Sequence, residues 1–125
     1  MSTSSKKNLA QYERLAGTLR DRIAAGTYAR GDKLPSEMEL MDESGLSRST
    51  VRHALKVLVD EGLVRTERTA GRYVTEDTML IEQLRAATAE KFAEEFLEKM
   101  RGIGYSPAQV AELLARQTKG EPNHE

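Results

Sequence analysis

The sequence predicts a mainly α-helical fold with a small β-wing, an N-terminal winged helix-turn-helix followed by two C-terminal helices. Three observations carry that prediction. Apolar residues recur at three- and four-residue spacing over most of the chain. A short helical segment and a longer one flank the turn Gly45-Leu46-Ser47. Two strand-like runs then follow at once. Composition agrees: 125 residues with 38% hydrophobic, 31% charged and 5% aromatic side chains and no tryptophan describe a helix-leaning chain with a modest core. That length suits one domain, or one small domain with an attached helical segment, and is not expected of a large multidomain enzyme.

Each element has a local cause. Residues 1–8 are polar, contain Lys6 and Lys7 and no acid, and read as a disordered arm. From Leu9, the residues Tyr12, Leu15, Ala16, Leu19 and Ile23 line one face of a helix over 9–25, which Gly26 can end in a left-handed cap. Gly31 and Pro35 punctuate a connector that could hold a short edge strand. Ser36 with Glu39 is a capping-box pattern, opening a short second helix that ends before Gly45. Ser47 repeats the capping logic for a third helix reaching Glu61, with Gly62 as terminator. The runs 63–67 and 71–75 read as the two strands of a hairpin, joined by Arg68-Thr69-Ala70.

The third helix has two faces. Val51, Ala54, Leu55, Leu58 and Val59 form one apolar stripe, while Arg48, Arg52 and Lys56 stand four apart along the other side, beside Ser49 and His53. Formal net charge is −1, so the distribution of charge is more informative than its sum. Residues 9–76 hold 11 basic and 11 acidic side chains and residues 77–125 hold 6 and 9, yet the window from Ser47 to Lys56 contains no acid. A polyanion could bind there. The DNA major groove admits a helix of this width, the arginine fork can donate two hydrogen bonds to guanine, and Ser and Thr can reach phosphates or bases. An isolated basic helix is commonly just a solvated face; the turn before it and the wing after it favour DNA.

The run Leu34-Pro35-Ser36-Glu37-Met38-Glu39-Leu40, then Gly45-Leu46-Ser47-Arg48-Ser49-Thr50-Val51-Arg52, then Ala54-Leu55, Leu58 and Glu61-Gly62-Leu63-Val64 resembles the winged helix of the GntR family of bacterial transcription regulators. Tyr12 and Gly31-Asp32-Lys33 fit as well. The resemblance covers residues 9–75 and rests on several ordered motifs. It implies a sequence-specific DNA-binding regulator; repression is the expected readout because no segment offers an obvious activation surface. It also implies operator contacts at Ser47, Arg48, Ser49, Thr50 and Arg52, and a wing glycine, Gly71, that lets the hairpin approach the minor groove. With Ser36, His53, Lys56, Arg68 and Arg72 these make the candidate DNA-binding set; His53 faces DNA or water. Two positions depart from the family: Met38 stands where Arg is common, and Arg72 stands where the wing usually has Thr. Arg68 and Arg72 either offset the arginine lost at Met38 or are simple surface residues.

After the wing, Asp77 or Thr78 can cap a fourth helix of about 24 residues, roughly 36 Å long. Leu80, Ile81, Leu84, Ala87, Phe92, Phe96, Met100 and Ile103 keep its apolar period. Ser106-Pro107-Ala108-Gln109 forms a second capping box, and Val110, Leu113 and Leu114 mark a last helix of about 12 residues. The expected organisation is therefore an arm (1–8), a winged helix-turn-helix (9–76), a two-helix dimerisation segment (77–119) and a flexible tail (120–125). So short a last helix covers only part of the long apolar stripe. Either a second copy of the chain covers the rest, the simpler case, or the stripe folds back on its own winged helix. The candidate dimerisation residues are Leu80, Ile81, Leu84, Phe92, Phe96, Met100, Val110, Leu113 and Leu114. This tail resembles the YtrA subfamily of GntR regulators, whose small C-terminal part serves dimerisation. The resemblance implies a homodimer on a pseudo-palindromic operator of double-stranded DNA. Two helices cannot enclose a pocket of about 300 Å³, so any small-molecule effector, of unknown identity, is expected at the subunit interface.

Other chemistries find little support. No cysteine and two histidines, His53 and His124, leave no thiol chemistry and no histidine-rich metal site, and no cofactor is expected. Asp42 and Glu43 are adjacent, so on a helix they point about 100° apart, and no nucleophile accompanies them; no enzyme is expected. No apolar run approaches the roughly 20 residues of a membrane span, and the first residues lack the apolar core of a secretory signal. A cytoplasmic protein that does not engage membranes is expected. The competing reading is a winged-helix protein–protein interaction module without DNA binding, which would leave the acid-free face unexplained.

Overall fold

The computed structural model describes residues 3–68 and 71–119, with side chains from Ala10 to Arg68 and from Gly71 to Thr118. Its elements are α1 (Thr3–Ala25), α2 (Glu37–Ser44), α3 (Arg48–Asp60), β1 (Val64–Glu67), β2 (Gly71–Val74), α4 (Thr78–Gly102) and α5 (Pro107–Lys119). The predicted class, helices with a small two-stranded wing, is the observed one. Helix α1 begins at Thr3 and not at Leu9. The expected arm is helical there because residues 3–8 contain neither Gly nor Pro, and Thr and Ser are well suited to a helix start. Thr69 and Ala70 of the expected wing turn, and the expected tail 120–125, lie outside the described residues.

Side-chain caps set the helix ends. Ser36 Oγ accepts the Glu39 N–H at 3.0 Å and the Ser36 N–H donates to Glu39 Oε1 at 2.8 Å, closing the capping box of α2. Gly45 ends that helix at φ 74, in the left-handed region. Ser47 Oγ accepts the Thr50 N–H at 3.2 Å at the start of α3. Asp77, and not Thr78, caps α4, with Oδ1 accepting the Leu80 N–H at 3.1 Å. Ser106 and Gln109 complete the box of α5.

The core lies between α1 and α3. Leu15, Ala16, Leu19 and Ile23 of α1 cluster with Val51, Ala54, Leu55 and Leu58 of α3, and Leu40, Leu63, Val64 and Val74 close the cluster from α2 and the wing. Two long-range ion pairs tie α1 in place: Arg20 Nη2 to Glu61 Oε2 at 2.8 Å, and Arg22 Nη2 to Glu43 Oε2 at 2.5 Å. The wing is antiparallel, with Val64 opposite Val74 and Thr66 opposite Arg72. The connector contributes the short edge expected of it: Lys33 bridges Tyr73, and the Leu34 N–H donates to the Arg72 carbonyl at 2.8 Å. Gly71 has φ 97, in the left-handed region that favours glycine, and a Cβ there would press on the end of the flexible Lys33 side chain, with Cε 3.1 Å away.

Two compact units meet within α4, the first ending at Ala86 and the second beginning at Ala87; the sequence placed its boundary between 76 and 77. Leu80, Ile81 and Leu84, expected at a dimer interface, are partly buried against the core of the first unit. Leu80 Cδ2 sits 3.5 Å from the position a Gly62 Cβ would take. The reason is chain connectivity: only residues 75–77 separate β2 from α4, so the first turns of α4 start against the winged helix and bury their apolar side chains there. In the second unit Val110 is only 3% exposed; its own chain already covers it, so it is not offered to a partner as expected. Phe92 (49%), Phe96 (37%) and Leu114 (45%) are exposed, as are Leu97, Ile103 and Tyr105. Met100 and Leu113 are half-buried. Among the described residues, no helix is long and apolar enough to cross a membrane.

Candidate nucleic-acid interface

Glu37, the first residue of α2, lies against the basic face of α3. Arg48 Nη1 donates to Glu37 Oε1 at 3.0 Å, while Arg52 donates through Nε to Oε2 at 2.9 Å and through Nη2 to Oε1 at 3.2 Å. From the wing, Arg72 Nη2 donates to Oε2 at 3.2 Å. One carboxylate therefore collects three guanidinium groups from two elements. The Glu37 side chain keeps 14% exposure, below Arg48 at 48% and Arg52 at 60%. The hydrogen bond from Arg52, assisted by Arg72 and opposed by burial, holds the Glu37 carboxyl down at about 2. The same contact raises the Arg52 guanidinium further above its ordinary value.

Chemically, three cations on one anion leave a net positive charge, with Arg48 and Arg52 about half exposed and Arg72 mostly covered. An arginine has five N–H donors, and Arg52 uses only its Nε/Nη2 edge on Glu37, which leaves the Nη1 edge for an acceptor beyond the protein. Arg48, Ser49, Arg52 and Lys56 of α3 and Thr66 and Arg72 of the wing line one open groove. Within it Lys56 Nζ pairs with Asp60 Oδ2 at 3.0 Å, one helical turn on. Ser49 is exposed, with Oγ 3.5 Å from Ser47 Oγ.

The other candidates divide. Ser36 and Ser47 are exposed at the helix starts and already serve as caps. His53 stacks on Tyr12 of α1, with ring centroids 3.7 Å apart and planes at 10°, so its ring braces α1 against α3 as well as facing out. Arg68 is exposed on the wing turn. Thr50 differs from expectation: it is 5% exposed and its Oγ1 accepts from Ser47 Oγ at 3.0 Å. Thr50 lies one turn before Ala54 and two before Leu58, so helical period places it on the packed stripe and not on the basic face. Met38 is exposed with its sulfur 3.9 Å from Arg48 Nη2, beside the arginines though without a charge. In the sequence Glu37 reads only as part of a motif; its place directly after the capping Ser36, at the start of α2, was the available signal. Tyr12, read in the sequence as a packing and family-motif position, stacks on His53.

A winged helix-turn-helix that presents arginines from the third helix and the wing on one exposed surface defines the class of nucleic-acid-binding winged helices. The pattern of the family described as "Bacterial regulatory proteins, gntR family" matches residues 11–74, and the chain belongs to that family. It is 41% identical over 66 residues to the mannosyl-D-glycerate transport/metabolism system repressor MngR of Escherichia coli (strain K12), a match covering 53% of this chain and 28% of that protein. The chain thus spans about a quarter of the length of such curated relatives. Among solved structures, a GntR family transcriptional regulator from Listeria monocytogenes superposes with a TM-score of 0.71 at 30% identity, covering 84% of this chain and 92% of that one. AraR(DBD) in complex with operator ORX1 superposes with a TM-score of 0.51 at 32% identity, over 52% of this chain and 78% of that one.

Proposed function

We propose that this protein is a sequence-specific DNA-binding transcriptional regulator that represses by occupying a pseudo-palindromic operator as a homodimer. The observation that carries the reading is the convergence of Arg48, Arg52 and Arg72 on one exposed surface beside the start of α3. In this reading α3 enters the major groove, Arg48 and Arg52 meet base edges, and Ser47, Ser49, Lys56 and the wing residues Arg68 and Arg72 meet phosphates and the neighbouring minor groove. Support comes from a relative named as a repressor and from a structural neighbour bound to its operator.

In this reading the exposed side chains Phe92, Phe96 and Leu114, with the half-buried Met100 and Leu113, form the subunit contact. With its two C-terminal helices read as a dimerisation segment, the chain is proposed as a YtrA-like member of the family. Any small-molecule effector binds between the subunits. Two recognition helices related by a two-fold axis then read half-sites about 10–10.5 base pairs apart. The experiment is a selection from a random-sequence duplex pool by the purified protein at two salt concentrations. Enrichment of one inverted repeat is the expected result; recovery of no preferred sequence overturns the proposal.

A further inference from the structure

We propose that Glu37 is a specificity-determining residue of the DNA surface, holding two arginines of the recognition helix and one of the wing as a single oriented set. The inference rests on the DNA-binding reading above and deepens it. Glu37 reaches partners 11, 15 and 35 positions away in the chain, so no local propensity accounts for the arrangement. Its carboxylate is largely covered by the side chains it binds, whereas Arg48 and Arg52 stay about half exposed. The wing limb exists because Arg72 occupies the strand position opposite Thr66 and turns its Nη2 toward Glu37.

The arrangement treats two kinds of acceptor differently. A phosphate oxygen offers these guanidiniums the chemistry Glu37 already offers, so contact with backbone alone exchanges one anion for another and gains little. A guanine edge needs two parallel donors in a set direction, and an Arg52 anchored through its Nε/Nη2 edge presents its remaining donors in one orientation. The carboxylate therefore lowers affinity for arbitrary DNA and keeps the donors aligned for a matching base pair.

The test compares wild type, Glu37→Gln and Glu37→Asp on a duplex recovered from the random pool and on a scrambled duplex of the same composition, each over a salt series. Glu37→Gln is expected to bind the scrambled duplex more tightly, with a log–log salt slope steeper by about 0.9 per subunit as one more phosphate is neutralised. The preference for the recovered duplex should fall about fivefold, the lower end of what one bidentate base contact discriminates. Glu37→Asp keeps the charge but is one methylene shorter, so it should keep the wild-type slope and still lose preference. An unchanged preference and slope in Glu37→Gln overturn the proposal, as does full preference in Glu37→Asp. Wild type that binds neither duplex, or both equally, defeats the DNA-binding reading instead, and the two failures are thereby distinct. Should Glu37→Gln not fold, Arg72→Thr removes the wing limb: lost preference supports the proposal and unchanged preference overturns it.

Discussion

Replacing Phe92 and Phe96 by Glu together tests the dimer most directly. A phenylalanine side chain covers about 200 Å² when fully buried. At 49% and 37% exposure the two rings leave roughly 100 and 75 Å² per copy for a partner, or about 350 Å² over a symmetric pair. At about 25 cal/mol per Å² this gives on the order of 9 kcal/mol of gross apolar stabilisation, comparable with the roughly 4–15 kcal/mol that association costs in lost translation and rotation. The rings thus do little more than offset the cost of association, so Leu97, Ile103 and Leu114, also exposed, must add area before the pair reaches the size of a stable interface. Four glutamates brought together across the axis remove that area and add like-charge repulsion. Wild type should run as a dimer and the variant as a monomer at micromolar concentration in size exclusion with light scattering. If each subunit neutralises about four phosphates, the salt slope should fall from near −7 to about half of that. A double variant that remains dimeric, or wild type that is already monomeric, refutes the assignment of this face.

Four further predictions follow from the first unit. Arg52→Ala should weaken operator binding by about 1–3 kcal/mol and relax preference at one base pair per half-site; uniform weakening across sequences in a binding-site library would make it a phosphate contact. Leu55 is fully buried, so Leu55→Ala should cost about 2–5 kcal/mol in urea unfolding, and a loss well under 1 kcal/mol would contradict the packing described. Ser47→Ala removes the α3 cap and should cost roughly 0.5–2 kcal/mol, read by thermal unfolding without DNA. For acid, the sign follows from Glu37, whose carboxyl sits at about 2 in the folded chain against an ordinary 4.5. Between those values the unfolded chain binds the proton first, so the stabilisation is complete above about pH 4.5 and is lost as pH falls toward 2. Acid unfolding curves of wild type should therefore drop more steeply in that window than those of Glu37→Gln; parallel curves would remove the carboxylate from the account.

What could be read from residues alone was what neighbours in sequence decide. The capping pairs Ser36 with Glu39 and Ser106 with Gln109, the left-handed stop at Gly45, and the apolar stripe from Val51 to Leu58 each depend on groups within one or two helical turns. Their hydrogen bonds and periodicity leave a direct trace in the order of residues, and so does the hairpin around Gly71. Thr50 shows the limit even there: the resemblance put its hydroxyl on the DNA side, while its phase relative to Ala54 and Leu58 placed it inside. The tertiary structure alone decided which distant groups meet. The Ser47–Lys56 window contains no acid, yet the crossing of α2 over the start of α3 supplies one from Glu37, and Arg72 arrives from a hairpin. The early turns of α4 showed the same apolar period as the later ones, but the short link from β2 pressed Leu80, Ile81 and Leu84 onto the winged helix and left Phe92 and Phe96 exposed. A periodic pattern states that a face must be covered; only the path of the backbone in space determines by what.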